Sequence, residues 1–282
     1  MALDIEAAEA TWDSIVTGYS TRVPRALRSQ LSSLDVVVVM EAIDGAGGAV
    51  ATAQNLSLVS IGDPGAGFPP GFPSNNGATT RPWALPTTAI VRVDPADIDF
   101  LIGQNQLLTT VIHEVGHALG FAGNFFDLND LAETNPLTGL TEYTGQYGVA
   151  EYRASPRANP FGNPLLESGG GAGTAGSHWE DGDPAFFDTV GMVSAVLNGF
   201  VPPPGFTSEI HPATIGVLRD LGYVVEGIAG DDTIGDTGGG GFPTKTGRPP
   251  PQALTAVPEP GSAMILFGLS VFGLGLRCRQ EG

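Results

Sequence analysis

The stretch 105–121, NQLLTTVIHEVGHALGF, decides the reading of this chain. Leu108, Val111, Ile112, Val115, Ala118 and Leu119 recur at three- and four-residue intervals, which predicts a helix with one broad apolar side that belongs in the interior. Inside it, His113-Glu114-Val115-Gly116-His117 is an HExxH segment. Residues four apart share a helix face, so His113 and His117 can both present ring nitrogens to one ion about 2.0–2.1 Å away. Glu114 sits one position round the helix, where it is poorly placed as a third ligand but can take a proton from a water on the metal. The plainer alternative is a polar core network of two histidines and a glutamate, and buried polar groups of that kind need a reason.

Outward from this helix the chain alternates strand and turn chemistry. Residues 4–18 (DIEAAEATWDSIVTG) space Ile5, Ala8, Trp12, Ile15 and Val16 as an amphipathic helix that Gly18 ends. The β-branched run 35–43 (DVVVVMEAI) and residues 49–53 read as strands joined by a glycine turn, and 87–93 (TTAIVRV) as a third strand closed by Asp94-Pro95. Between them 63–86 is too rich in Gly, Pro and Asn for anything but a surface loop. Residues 121–177 form no long periodic segment, and a loop of that length is functional or an insertion. Residues 212–222 (PATIGVLRDLG) predict a last helix with proline in its first turn and glycine as its stop, followed by a short strand at Val224-Val225.

The chain of 282 residues carries 12 Lys+Arg against 30 Asp+Glu, a net charge of −18. Phosphate backbones need clustered cations, so this balance argues against nucleic acid as a partner. Cys278 is the single cysteine, so no intramolecular disulfide can form. The first fifteen residues have neither the basic start nor the apolar run of a secretory signal peptide.

A catalytic zinc wants three protein ligands and one open position. Beyond His113 and His117 the chain offers His178 and His211, and the carboxylates Glu133, Glu142 and Glu151 are further candidates. His211 precedes Pro212, a position typical of a helix start, where a capping role competes with that of a ligand or a hydrogen-bond donor to the transition state.

Here a resemblance enters. HEVGHALGF (113–121) resembles the metzincin zinc peptidases, whose longer motif is HExxHxxGxxH, with Gly120 at the turn glycine and Gly123 where the third histidine would stand. Leishmanolysin-like peptidases carry an insertion at that point, and 169–180 (GGGAGTAGSHWE) resembles the segment that delivers the last ligand, which makes His178 the third ligand by resemblance. YTGQYGVAEYRA (143–154) and LRDLGYVVE (218–226) also look like bacterial members of that group. Metzincins place a methionine beneath the metal, for which Met192 is the candidate; an ordinary core methionine is the alternative.

The resemblance implies an α+β, metzincin-like zincin over residues 1–226, with an N-terminal mixed sheet, a central HExxH helix, a loop-rich insertion and a small C-terminal lobe. It implies one catalytic Zn2+ on His113, His117 and His178, and Glu114 as base in the hydrolysis of protein or peptide substrates. A non-catalytic surface or matrix protein that keeps the fold as a binding module is the rival reading.

Residues 227–256 read as a flexible Gly/Pro/Thr linker. After it, Val257-Pro258-Glu259-Pro260 precedes fifteen uncharged residues, 262–276, and then Arg277-Cys278-Arg279. As a helix the run would be about 22 Å long, a marginal transmembrane segment. The order resembles the PEP-CTERM sorting signal, which implies export, brief anchoring in the membrane through 262–276, and processing by an exosortase-type enzyme to a surface or extracellular product.

Overall fold

A computed structural model describes residues 2–61, 83–169, 173–186, 192 and 210–226, together with the backbone of 265–272 and 275–280. The linker expected over 227–256 lies outside these residues.

The first helix, α1 (Ala2–Asp13), buries Ile5, Ala8 and Trp12 on one face and stops short of the expected Gly18. Val16–Tyr19 forms strand β1 instead, because it meets an equally β-prone partner: β8 (Tyr223–Val225) pairs with it antiparallel, Tyr19 opposite Tyr223. A single helical turn, α2 (Arg25–Arg28), leads into β2 (Ser33–Met40), whose Leu34, Val36, Val38 and Val39 are buried.

β2 runs parallel to β4 (Trp83–Val93), and β3 (Ala51–Ile61) lies antiparallel on the other side of β4. The sheet is therefore mixed. Both β3 and β4 are longer than their sequence signals. The start of β4 takes in Trp83-Ala84-Leu85-Pro86 from the expected loop, and the pairing absorbs Pro86 by shifting register between Asn55 and Leu58.

Asp94 closes the end of this sheet. Its side chain, fully buried, accepts the N–H groups of Ile43, Asp44 and Gly45 on Oδ2 and of Ala96 on Oδ1. The turn after β2 is thereby wrapped around one carboxylate, whose pKa is held below the usual range, first by the Ala96 hydrogen bond.

After α3 (Ile98–Gly103) comes the decisive helix, α4 (Leu107–Ala118), packed against β3, β4 and α1. Beyond it the region expected to be irregular holds two helices, α5 (Gly123–Leu128) and α6 (Gln146–Ala154), and a small antiparallel sheet of β5 (Ala132–Thr134), β6 (Thr141–Tyr143) and β7 (Leu165–Leu166). α7 (Pro212–Leu221) has His211 as N-cap and Gly222, at φ +107°, as its stop.

α6 and α7 are locked by Asp220. Its buried carboxylate accepts the N–H of Tyr147 and Gly148, in the first turn of α6, and the hydroxyl of Tyr143. A side chain distant in sequence thus satisfies helix donors that α6 itself cannot.

The spanning helix expected over 262–276 is corrected by the structure. β9 (Ile265–Phe272) pairs antiparallel with β2, and β10 (Gly275–Gln280) with β9. No helix among the described residues is long and apolar enough to cross a membrane. Gly268, Gly273 and Gly275 weaken a helix here, whereas the edge of β2 offers a complete ladder of hydrogen bonds.

Candidate metal centre

α4 ends as its sequence predicts, and that ending shapes the site. Gly120 takes φ +103°; its N–H donates to the His117 carbonyl at 3.0 Å and the Phe121 N–H to the Gly116 carbonyl at 3.1 Å. This is a Schellman turn, which needs a residue free to adopt positive φ. It also aims the Phe121 carbonyl back at the helix, where it accepts from His117 Nδ1 at 2.6 Å. With its proton held at Nδ1, His117 presents an unprotonated Nε2 inward.

His178 comes from the opposite direction. Leu166 and Trp179 form a bridge, the Glu180 N–H donates to the Leu165 carbonyl, and Trp179 is fully buried with its indole N–H on Thr214 Oγ1. Alternation along this short extended piece turns His178 away from the Trp179 side. The His178 Nδ1–H donates to the Thr174 carbonyl at 3.1 Å, so its Nε2 is also left unprotonated.

The three Nε2 atoms of His113, His117 and His178 form a triangle with every side 3.1 Å. Two of these nitrogens turn bare lone pairs toward their neighbours, an arrangement that repels itself unless a cation stands among them. A tetrahedral zinc about 2.0–2.1 Å from each nitrogen would set them roughly 3.3–3.4 Å apart. The triangle is within a few tenths of an ångström of that requirement. Among the described residues this is the one group of three His, Cys, Asp or Glu side chains close enough to hold an ion.

Burial tunes the charges in the same sense. His117 is pushed down to about 3, first by burial and then by His178, against the Phe121 hydrogen bond. His178 is lowered as well, chiefly by burial. Both rings therefore remain neutral donors. Glu114, 2% exposed, is pushed up to about 8 by burial.

The other candidates lie elsewhere. His211 Nδ1 accepts the Ala213 N–H at 3.0 Å and its Nε2 meets Ser155 Oγ at 3.1 Å, so it caps α7 and stands outside the triangle. Glu142 accepts from Asn163, and Glu133 faces Glu142 across β5 and β6; neither they nor Glu151 join the histidines. Met192 is buried beneath α4, its sulfur 2.7 Å from where a Cβ on Gly116 would stand.

Two residues shape the site in ways that no spacing in the sequence marks. Gly123, where a contiguous motif would carry its third histidine, is covered by the returning chain: its N–H donates to Ser177 Oγ, and a Cβ there would stand 3.1 Å from the Gly176 carbonyl. The glycine is what lets the His178 loop dock. Asn55 of β3 donates to the His117 carbonyl at 3.2 Å and bolts the edge strand to the end of α4. Its signal was absent, because a lone asparagine in a strand has no spacing to betray it.

Comparison with known families agrees with this geometry. A model of leishmanolysin peptidases matches residues 81–196, a span that contains all three histidines, Glu114 and Met192, and it points to a metallopeptidase. A PEP-CTERM protein-sorting motif matches residues 256–280, which indicates export and surface sorting and implies processing by an exosortase-type enzyme. No curated protein matches the chain.

Proposed function

We propose that the protein is an exported zinc endopeptidase that hydrolyses peptide bonds in protein or peptide substrates. The observation that carries this reading is the 3.1 Å triangle of Nε2 atoms with Glu114 on the same helical turn as two of its corners. His113, His117 and His178 would hold the ion, with the Phe121 and Thr174 carbonyls fixing two of the tautomers. When bound, zinc supplies Lewis acidity to a water and to the scissile carbonyl.

Glu114 moves the proton. Its carboxylate takes one from the attacking water and returns it to the amide nitrogen, so the C–N bond breaks with a neutral amine leaving. Burial raises the Glu114 carboxyl above the ordinary glutamate range, and a cation held beside it would favour the ionised form that accepts the proton. A metal site with a purely structural role has no use for such a base beside it.

The test is casein cleavage with chelator, without it, and after zinc is restored, in the parent and in Glu114→Ala. We expect chelation to abolish cleavage and zinc to restore it. Glu114→Ala should keep its zinc and lose about 100- to 10,000-fold in rate. Cleavage by that variant at the parent rate would refute the assigned base. A parent that binds zinc yet cleaves nothing would be the binding module instead.

A further inference from the structure

The loop that delivers His178 is closed by a residue the proposed chemistry does not use. Glu167 directly follows β7 and is 9% exposed. Its N–H donates to the His178 carbonyl at 2.9 Å, and its own carbonyl accepts the Gly176 N–H at 2.8 Å. Its carboxylate Oε2 stands 3.9 Å from His178 Nδ1. The backbone bonds that place the imidazole therefore place the carboxylate as well.

His178 needs such a partner more than the helix ligands do. His113 and His117 are held by the rigid turn they share, whereas His178 arrives on a run with glycine at 169, 170, 171, 173 and 176. Gly173 and Gly176 take φ +98° and +76°, the left-handed region glycine enters most readily, and so turn the chain back toward the site. The Thr174 carbonyl fixes the tautomer of His178; a carboxylate beside the same ring edge adds negative charge, which strengthens the opposite nitrogen as a donor to a cation.

We propose that Glu167 is a positioning residue for His178, holding its segment through two backbone bonds and raising the affinity of its imidazole for the metal through the charge beside the ring, without touching metal or substrate. The inference rests on the three-histidine site being a zinc site.

The experiment measures zinc affinity of the full chain by competition with a chromophoric chelator, and thermal unfolding with and without zinc, for the parent, Glu167→Gln and Glu167→Ala. Glu167→Gln keeps size and backbone pairing and removes the charge. Both variants should bind zinc about 10- to 100-fold more weakly. In Glu167→Gln the melting temperature of the zinc-free protein should stay at the parent value while the upward shift caused by zinc shrinks. Parent-like zinc affinity in Glu167→Gln overturns the proposal. So does an equal fall of both melting temperatures with affinity unchanged, which would assign Glu167 to loop packing alone. A parent that binds no zinc overturns the metal site itself, a result distinct from either.

Discussion

The sulfur of Met192 lies against Gly116, 2.7 Å from the point a Cβ would occupy, with Trp12 of α1 at 3.3 Å from the same point. The second variable position of HExxH is thus a socket filled from below by one side chain and from the side by another. Overpacking such a contact costs about 1–3 kcal/mol, while alanine in place of glycine within a helix gains about 1 kcal/mol. The balance depends on Met192. We predict that Gly116→Ala destabilises the parent by up to about 2 kcal/mol but stabilises a Met192→Ala background, measured by urea unfolding across a double-mutant cycle. The same sign in both backgrounds would remove Met192 from beneath the helix.

Gly120 couples the end of α4 to a ligand. Alanine at φ +103° costs about 1–2 kcal/mol, and relaxing that strain moves the Phe121 carbonyl away from His117 Nδ1. Gly120→Ala should therefore lose both stability and roughly tenfold in zinc affinity. Gly139→Ala is the matched control: its φ is +72° in open space, remote from the histidines in sequence, and it should lose stability alone. Thermal melts and zinc titration of the two variants separate backbone strain from ligand orientation.

Asp94 gives the fold a dependence on pH whose sign is fixed. Its folded-state pKa is lowered by backbone hydrogen bonds, so the unfolded chain binds the proton more tightly. The stabilisation is present above the ordinary aspartate value of about 3.9 and is lost as pH falls through the lower, folded value. Asp94→Asn should be less stable than the parent by about 2 kcal/mol at pH 7, and the gap should narrow below pH 4. Unfolding in urea at pH 7 and pH 3 measures it; a gap as wide at pH 3 as at pH 7 would mean the charge contributes nothing.

The sequence discloses the features here that depend on local periodicity or on a short motif. α4, its glycine stop, the β-branched strands and α7 with His211 before Pro212 follow from spacing alone. Features set by distant partners did not show in advance. β1 exists because β8 pairs with it, and α6 starts where Asp220, 72 residues on from Gly148, accepts its N–H groups. His178 is intermediate: nothing in its spacing marks it and only the resemblance points to it, whereas the reason it can reach the site, Gly123 accommodating Gly176, belongs to packing. The composition of the apolar tail suits a helix, but short glycine-broken apolar runs do not distinguish helix from strand, and β2 offers an edge.

The most direct test is X-ray absorption at the zinc edge on the purified, zinc-loaded chain, which counts imidazoles around the ion. Three histidine nitrogens at about 2.0–2.1 Å with a fourth light-atom ligand are expected for the parent, and two histidines for His178→Ala. A parent spectrum with two or fewer imidazoles, or one left unchanged by His178→Ala, would contradict the three-histidine site.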